Sequence, residues 1–69
     1  MGMENEKEIR ELEAIIDGCN KEIDICYKVI LSEPEKEKAL KKIINSFGLI
    51  KRDALRRIRF LQQMAKKAS

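Results

Sequence analysis

Apolar residues recur along this chain at alternating spacings of three and four, the pattern of a helix packed lengthwise against another helix. One such seam runs Ile9, Leu12, Ile16, Cys19, Ile23, Cys26, Ile30; a second runs Leu40, Ile43, Phe47, Ile50, Ala54, Arg57, Leu61, Met64, Ala68. Between them lies Ser32-Glu33-Pro34-Glu35. Pro34 has no amide hydrogen and disfavours a helical Glu33, and Ser32 and Glu35 have the spacing of a capping box. The pattern therefore predicts a chain reversal at this point rather than one unbroken helix. The expected architecture is all-α: an antiparallel helical hairpin forming a single helical domain over 1–69, with helix 1 over about 4–31, a turn at 32–35 and helix 2 over about 34–67. Asn5 suits the first cap, and Glu6 and Glu8 favour the positive end of the helix dipole.

Folding the seams together about residue 33 sets Cys26 against Leu40, Ile23 against Ile43, Cys19 against Phe47, Ile16 against Ile50 and Leu12 against Ala54. Arg57 then falls opposite Ile9, where an aliphatic side chain is expected; reaching Glu8 or Glu13 at the end of the core would resolve the conflict. Gly18 faces away from the seam and costs up to ~1 kcal/mol relative to alanine in a helix. Gly48 leaves two readings open. Followed by Leu49, it could end a helix in a Schellman motif and give a kink or a third helix. The seam passes through it in phase, however, which favours one long second helix.

A hairpin alone leaves apolar surface uncovered. Ile15, Tyr27 and Val29 on helix 1 and Ile44, Ile58 and Phe60 on helix 2 flank the seams and widen the apolar stripe beyond what one neighbouring helix covers. These six form the candidate dimer or partner interface, and pairing of two hairpins into a four-helix bundle is the expected assembly. The length leads to the same expectation, since 69 residues bury only a small core.

Composition removes several functions. The chain has no histidine and two cysteines, Cys19 and Cys26, both on the first seam. Their backbones stand about 10.5 Å apart along one helix, too far for a bridge between them. They read as buried free thiols, with a bridge between two chains as the alternative. No metal site or cofactor is expected, and without a nucleophile motif or glycine-rich loop the chain is not expected to be an enzyme. No aliphatic run exceeds Val29-Ile30-Leu31, far short of the ~18 residues of a membrane span. A cytoplasmic protein with no membrane partner is expected. Met1-Gly2 is followed by Glu6 where a myristoylation signal wants serine or threonine, and reads as a frayed or non-native end.

Charge is distributed unevenly. Residues 1–37 carry eleven acids against five bases, a net −6, and residues 38–69 carry ten bases against Asp53 alone, a net +9. An acidic helix pairing with a basic one accounts for part of this. Yet Lys38, Lys42, Arg52, Arg56, Arg59 and Lys66 fall on the outward side of helix 2, where they form a candidate nucleic-acid face. A helix-turn-helix with Leu40–Ser46 as first element, a turn at 47–49 and a recognition helix over Ile50–Lys66 is a narrower version of that idea. Two functions follow as expectations: a homodimeric protein-protein interaction module, acting as adaptor, inhibitor or regulator of another protein, or a regulator that binds DNA or RNA through helix 2.

Overall fold

The computed structural model describes the backbone of residues 2–68 and the side chains of residues 4–67. It is a helical hairpin: α1 (Gly2–Ser32), a single 3₁₀ turn (Pro34–Lys36) and α2 (Glu37–Ala68). The Cα envelope measures 53 × 14 × 11 Å. One straight helix of this length would reach about 100 Å, so the two helices lie side by side. The expectation that Ala68 ends the second seam and the reading of Met1 lie outside the described residues.

The reversal happens at Glu33 by a different device from the expected capping box. Ser32 remains the last residue of α1, its hydroxyl donating to the Val29 carbonyl at 3.1 Å rather than capping the next helix. The Glu33 amide also closes on Val29 O, at 2.7 Å. Glu33 then leaves helical geometry, with φ −133° and ψ 75°, and makes no side-chain cap. Proline explains this: its ring pushes the preceding residue out of the α region while its own fixed φ starts the next turn. Lys36 donates to Glu33 O at 3.0 Å, and Glu37 to Pro34 O, which brings the chain into α2.

α2 continues unbroken through Gly48, whose φ is not positive. The kink, the third helix and the helix-turn-helix are all excluded by this continuity, because a Schellman end needs a left-handed residue.

The first seam is as expected: Cys19 and Cys26 are buried as free thiols, with Ile9, Leu12, Ile16, Ile23 and Ile30 half-buried around them. The second is rotated. Leu40, Phe47, Ala54 and Leu61 face α1 as expected, but the positions between them are Ile44, Lys51 and Ile58, not Ile43, Ile50 and Arg57. Ile58 is 8% exposed, whereas Ile43, Ile50 and Met64 are 44%, 46% and 48% exposed. The reason lies at one level. The expected seam would bury the Arg57 guanidinium, which is costly without full pairing, whereas a rotation by one position buries Ile58 instead. Lys51 is tolerated half-buried because its aliphatic stem lies along the seam while the ammonium reaches water.

Candidate functional site

The rotation of α2 has left an apolar column outside the hairpin, and one contact shows where it faces. Arg57 Nε donates to Glu8 Oε2 at 2.7 Å, with a longer contact of 3.4 Å from Nη2 to Oε1. The hydrogen bond from Arg57 holds the Glu8 carboxyl below its ordinary range, and the same bond raises Arg57. Seven residues are two turns of a packed helix, so Glu8, Ile15, Glu22 and Val29 stack in one column of α1. Ile43, Ile50, Arg57 and Met64 do the same on α2. Since Glu8 touches Arg57, both columns border the same broad side of the hairpin.

That side is apolar with charges at one level. Ile15, Ile43, Ile50 and Met64 are each between 44% and 48% exposed. Phe60 joins them, because the Arg57 guanidinium lies over its ring at 5.3 Å from the centroid. A surface groove lined by Glu4, Lys7, Glu8, Glu11, Leu12 and Ile15 opens at the α1 end of this face. With equal rise along antiparallel helices, Ile15 stands level with Ile50 and Glu22 with Ile43.

The six residues expected at the interface are thus divided. Ile15 and Phe60 are exposed and Val29 half-buried on this face. Ile58 is enclosed within the hairpin and cannot meet a partner, and Ile44 is half-buried in the same seam; both are flanks only for a seam running through Ile43 and Arg57, one position away. Tyr27 is exposed on the opposite side, within electrostatic reach of Lys41. Ile43, Ile50 and Met64 were missed as surface residues for the same reason. Their signal was present in the sequence at two levels: Ile43 and Ile44 are adjacent apolar candidates, and Ile58 stands beside the charged Arg57.

The basic residues lie where expected. Lys38, Lys42, Arg52, Arg56, Arg59 and Lys66 are all exposed on α2. Four of the ion pairs among the described residues are local: Glu6–Arg10, Asp24–Lys28, Glu33–Lys36 and Glu37–Lys41. Glu8–Arg57 joins the two helices. The charge division between helices is therefore little used inside the hairpin, and Lys38, Lys42, Arg52, Arg56 and Arg59 have no acidic partner among the described residues. Arg59 also lines a groove with Gln62, Gln63 and Lys66.

Among the described residues no group of histidine, cysteine, aspartate or glutamate could hold a metal ion, and no helix is long and apolar enough to cross a membrane. Compared with protein-family models, curated proteins and solved structures, the chain matches none.

Proposed function

We propose that this chain is a protein-protein interaction module that works as a homodimer, two hairpins packed into a four-helix bundle that serves as an adaptor, inhibitor or regulator of another protein. The observation that carries the reading is an apolar face larger than the core: Ile15, Ile43, Ile50, Phe60 and Met64 are about half exposed on one broad side, with Tyr27, Leu31 and Leu55 exposed elsewhere, while the buried apolar residues among those described are Cys19, Cys26, Ala54, Ile58 and Leu61. Burying that face gives the hairpin the second layer that helical domains normally need. The broad side of the Cα envelope, 53 by 14 Å, offers a footprint of about 740 Å², close to the ~800 Å² per partner of a standard interface. Multi-angle light scattering at micromolar concentration tests it. A mass twice the 8.0 kDa of the chain is expected, and a mass near 8.0 kDa would reject the homodimer.

A second reading, binding of DNA or RNA through α2, is favoured by one observation: Lys38, Lys42, Arg52, Arg56 and Arg59 have no acidic partner among the described residues. Phosphate binding by such a face releases counterions and must weaken steeply with salt. Fluorescence anisotropy with a labelled duplex at two salt concentrations separates the readings, since a regulator that binds only protein gives no salt-dependent signal.

A further inference from the structure

The two helices differ in the line of residues each turns outward, away from the seam. On α1 that line runs Lys7, Arg10, Ala14, Asp17, Lys21, Asp24, Lys28. Bases and acids are mixed along it, and Arg10 and Lys28 are held in ion pairs with Glu6 and Asp24. A solvated helix face has this mixed composition. The matching line of α2 takes the same alternating steps of four and three, but it begins Lys38, Lys42, Asn45, Leu49 and goes on through Arg52, Arg56, Arg59, Gln63 and Lys66. All nine positions are exposed. Eight of them carry a hydrogen-bond donor, and no acid interrupts the line over ~42 Å of helix.

We propose that this line is the surface by which α2 enters the major groove of B-form DNA, with Arg52, Arg56, Arg59 and Gln63 at base edges and Lys38 and Lys42 on phosphates. The proposal rests on the nucleic-acid reading above and adds to it which nucleic acid is bound and how. It leaves the apolar face free, because Ile43, Ile50 and Met64 form a separate column of α2.

Shape selects the duplex. A helix ~10–12 Å across fits the B-DNA major groove, ~12 Å wide, whereas side chains cannot read the deep, narrow major groove of an RNA duplex. Single strands are held largely by stacking their bases on aromatic rings. The line contains no aromatic residue, and the neighbouring Phe60 has the Arg57 guanidinium over its ring at 5.3 Å from the centroid. Side-chain chemistry agrees with shape: arginine fits the O6 and N7 edge of guanine and glutamine the N6 and N7 edge of adenine, each with two hydrogen bonds. Arg52 to Gln63 span ~16 Å of helix, about five base pairs of groove. Further along, a straight helix parts from the curving groove, so Lys38 and Lys42, ~15–21 Å from Arg52, fall to the phosphates, which position without reading sequence. The net −6 of residues 1–37 does not cancel this field. The axis of α1 lies ~8–10 Å behind that of α2, and its outward acids lie beyond the ~8 Å Debye length of physiological salt.

Fluorescence anisotropy on the full chain tests the proposal, with one sequence labelled as DNA duplex, RNA duplex and single-stranded DNA, and with methyl green or netropsin added to fill the major or the minor groove. The expected result is salt-dependent binding to the DNA duplex, roughly tenfold or more tighter than to the RNA duplex or the single strand, and displacement by methyl green but not by netropsin. Leu49→Glu puts a carboxylate into the line at a position 55% exposed. It should lower the affinity roughly tenfold, while Leu49→Gln, and Lys21→Gln on the outward side of α1, leave it within about twofold. Equal or tighter binding to the RNA duplex or the single strand, displacement by netropsin, no displacement by methyl green, or an unaffected Leu49→Glu would overturn the groove assignment and leave the nucleic-acid reading standing. No salt-dependent binding to any of the three, the outcome if the line meets an acidic protein instead, would overturn that reading itself.

Discussion

Replacing each helical glycine by alanine separates the hairpin's internal needs from those of its partner. Alanine is favoured over glycine by roughly 0.8–1 kcal/mol at an interior helix position. Gly18 and Gly48 both lie inside long helices, neither has a positive φ, and a Cβ on either meets nothing within 4 Å. The full propensity gain is therefore open to both in the isolated hairpin. For a domain of this size that is a rise in Tm of about 4–8 °C. Gly48→Ala should show it at every protein concentration, because position 48 lies on the side away from the proposed dimer face. Gly18 is one turn from Ile15, at the rim of the face proposed for the homodimer, so Gly18→Ala should show it in full at dilution and less of it at high concentration, where the added methyl would crowd a second copy. The assay is thermal unfolding followed by circular dichroism over a hundredfold range of concentration. A destabilised Gly48→Ala would refute the continuous, unencumbered α2, and identical concentration profiles for the two variants would refute a role for Gly18 between copies.

Other outcomes follow from single contacts. Leu61 is the most enclosed apolar side chain, at 2% exposure, and Leu61→Ala should remove ~2–5 kcal/mol, enough to lower the urea midpoint sharply; a small change would mean that the core lies elsewhere. Arg57 lowers the Glu8 pKa in the folded chain, so the pair's contribution is complete above the ordinary carboxylate range and is lost as pH falls through the lowered value. Wild type should exceed Glu8→Gln in stability at pH 7 and converge with it as pH falls below the ordinary carboxylate range in urea titrations, while a gap that persists in acid would mean that glutamate acts there by packing. Changing Arg52, Arg56 and Arg59 together to glutamine should leave helicity and oligomeric state unaltered, since all three are exposed and without acidic partners among the described residues. If α2 binds nucleic acid, the triple variant should lose affinity across all sequences and its salt slope should flatten by roughly three.

The hairpin itself was legible because three signals agree on it: two seams of matched length, a proline between them, and no other breaker of helical phase. The seam of α1 could be read residue by residue, since Ile9, Leu12, Cys19 and Ile23 are each the single apolar candidate at their level and fix the phase for the levels with two, such as Ile15 and Ile16. On α2 the same procedure slipped by one position. Ile43 and Ile44 are equivalent to a periodicity argument, and at the next level the sequence even favours the wrong choice, Ile50 over Lys51. What decides is a long-range term: which rotation leaves the Arg57 guanidinium in water and within reach of Glu8, 49 positions away. No local pattern carries that information. The turn failed differently, because Ser32 can cap the following helix or finish the preceding one, and Pro34 settles the matter through the backbone of Glu33.

The same ambiguity bears on function. A sequence with two adjacent apolar columns on one helix has more apolar surface than a single neighbour can cover, whichever column the neighbour takes. In this chain Arg57 assigns the columns: Ile44 and Ile58 turn inward, and Ile43, Ile50 and Met64 are left as the exposed flank. One arginine thus sets both the interior of the hairpin and the composition of its outer face. Removing its charge without its length, as in Arg57→Met, should therefore do more than delete an ion pair. Methionine is at home at a seam position, so α2 becomes free to rotate back by one residue, burying Ile43 and Ile50 and releasing Ile44 and Ile58. Cysteines introduced one at a time at 44 and 50, with the buried Cys19 and Cys26 as an internal protected reference, should exchange their protection from thiol alkylation in the Arg57→Met background. Unchanged protection at both positions would show that the rotation is set by the packing of Ala54, Ile58 and Leu61 and that Arg57 only follows it.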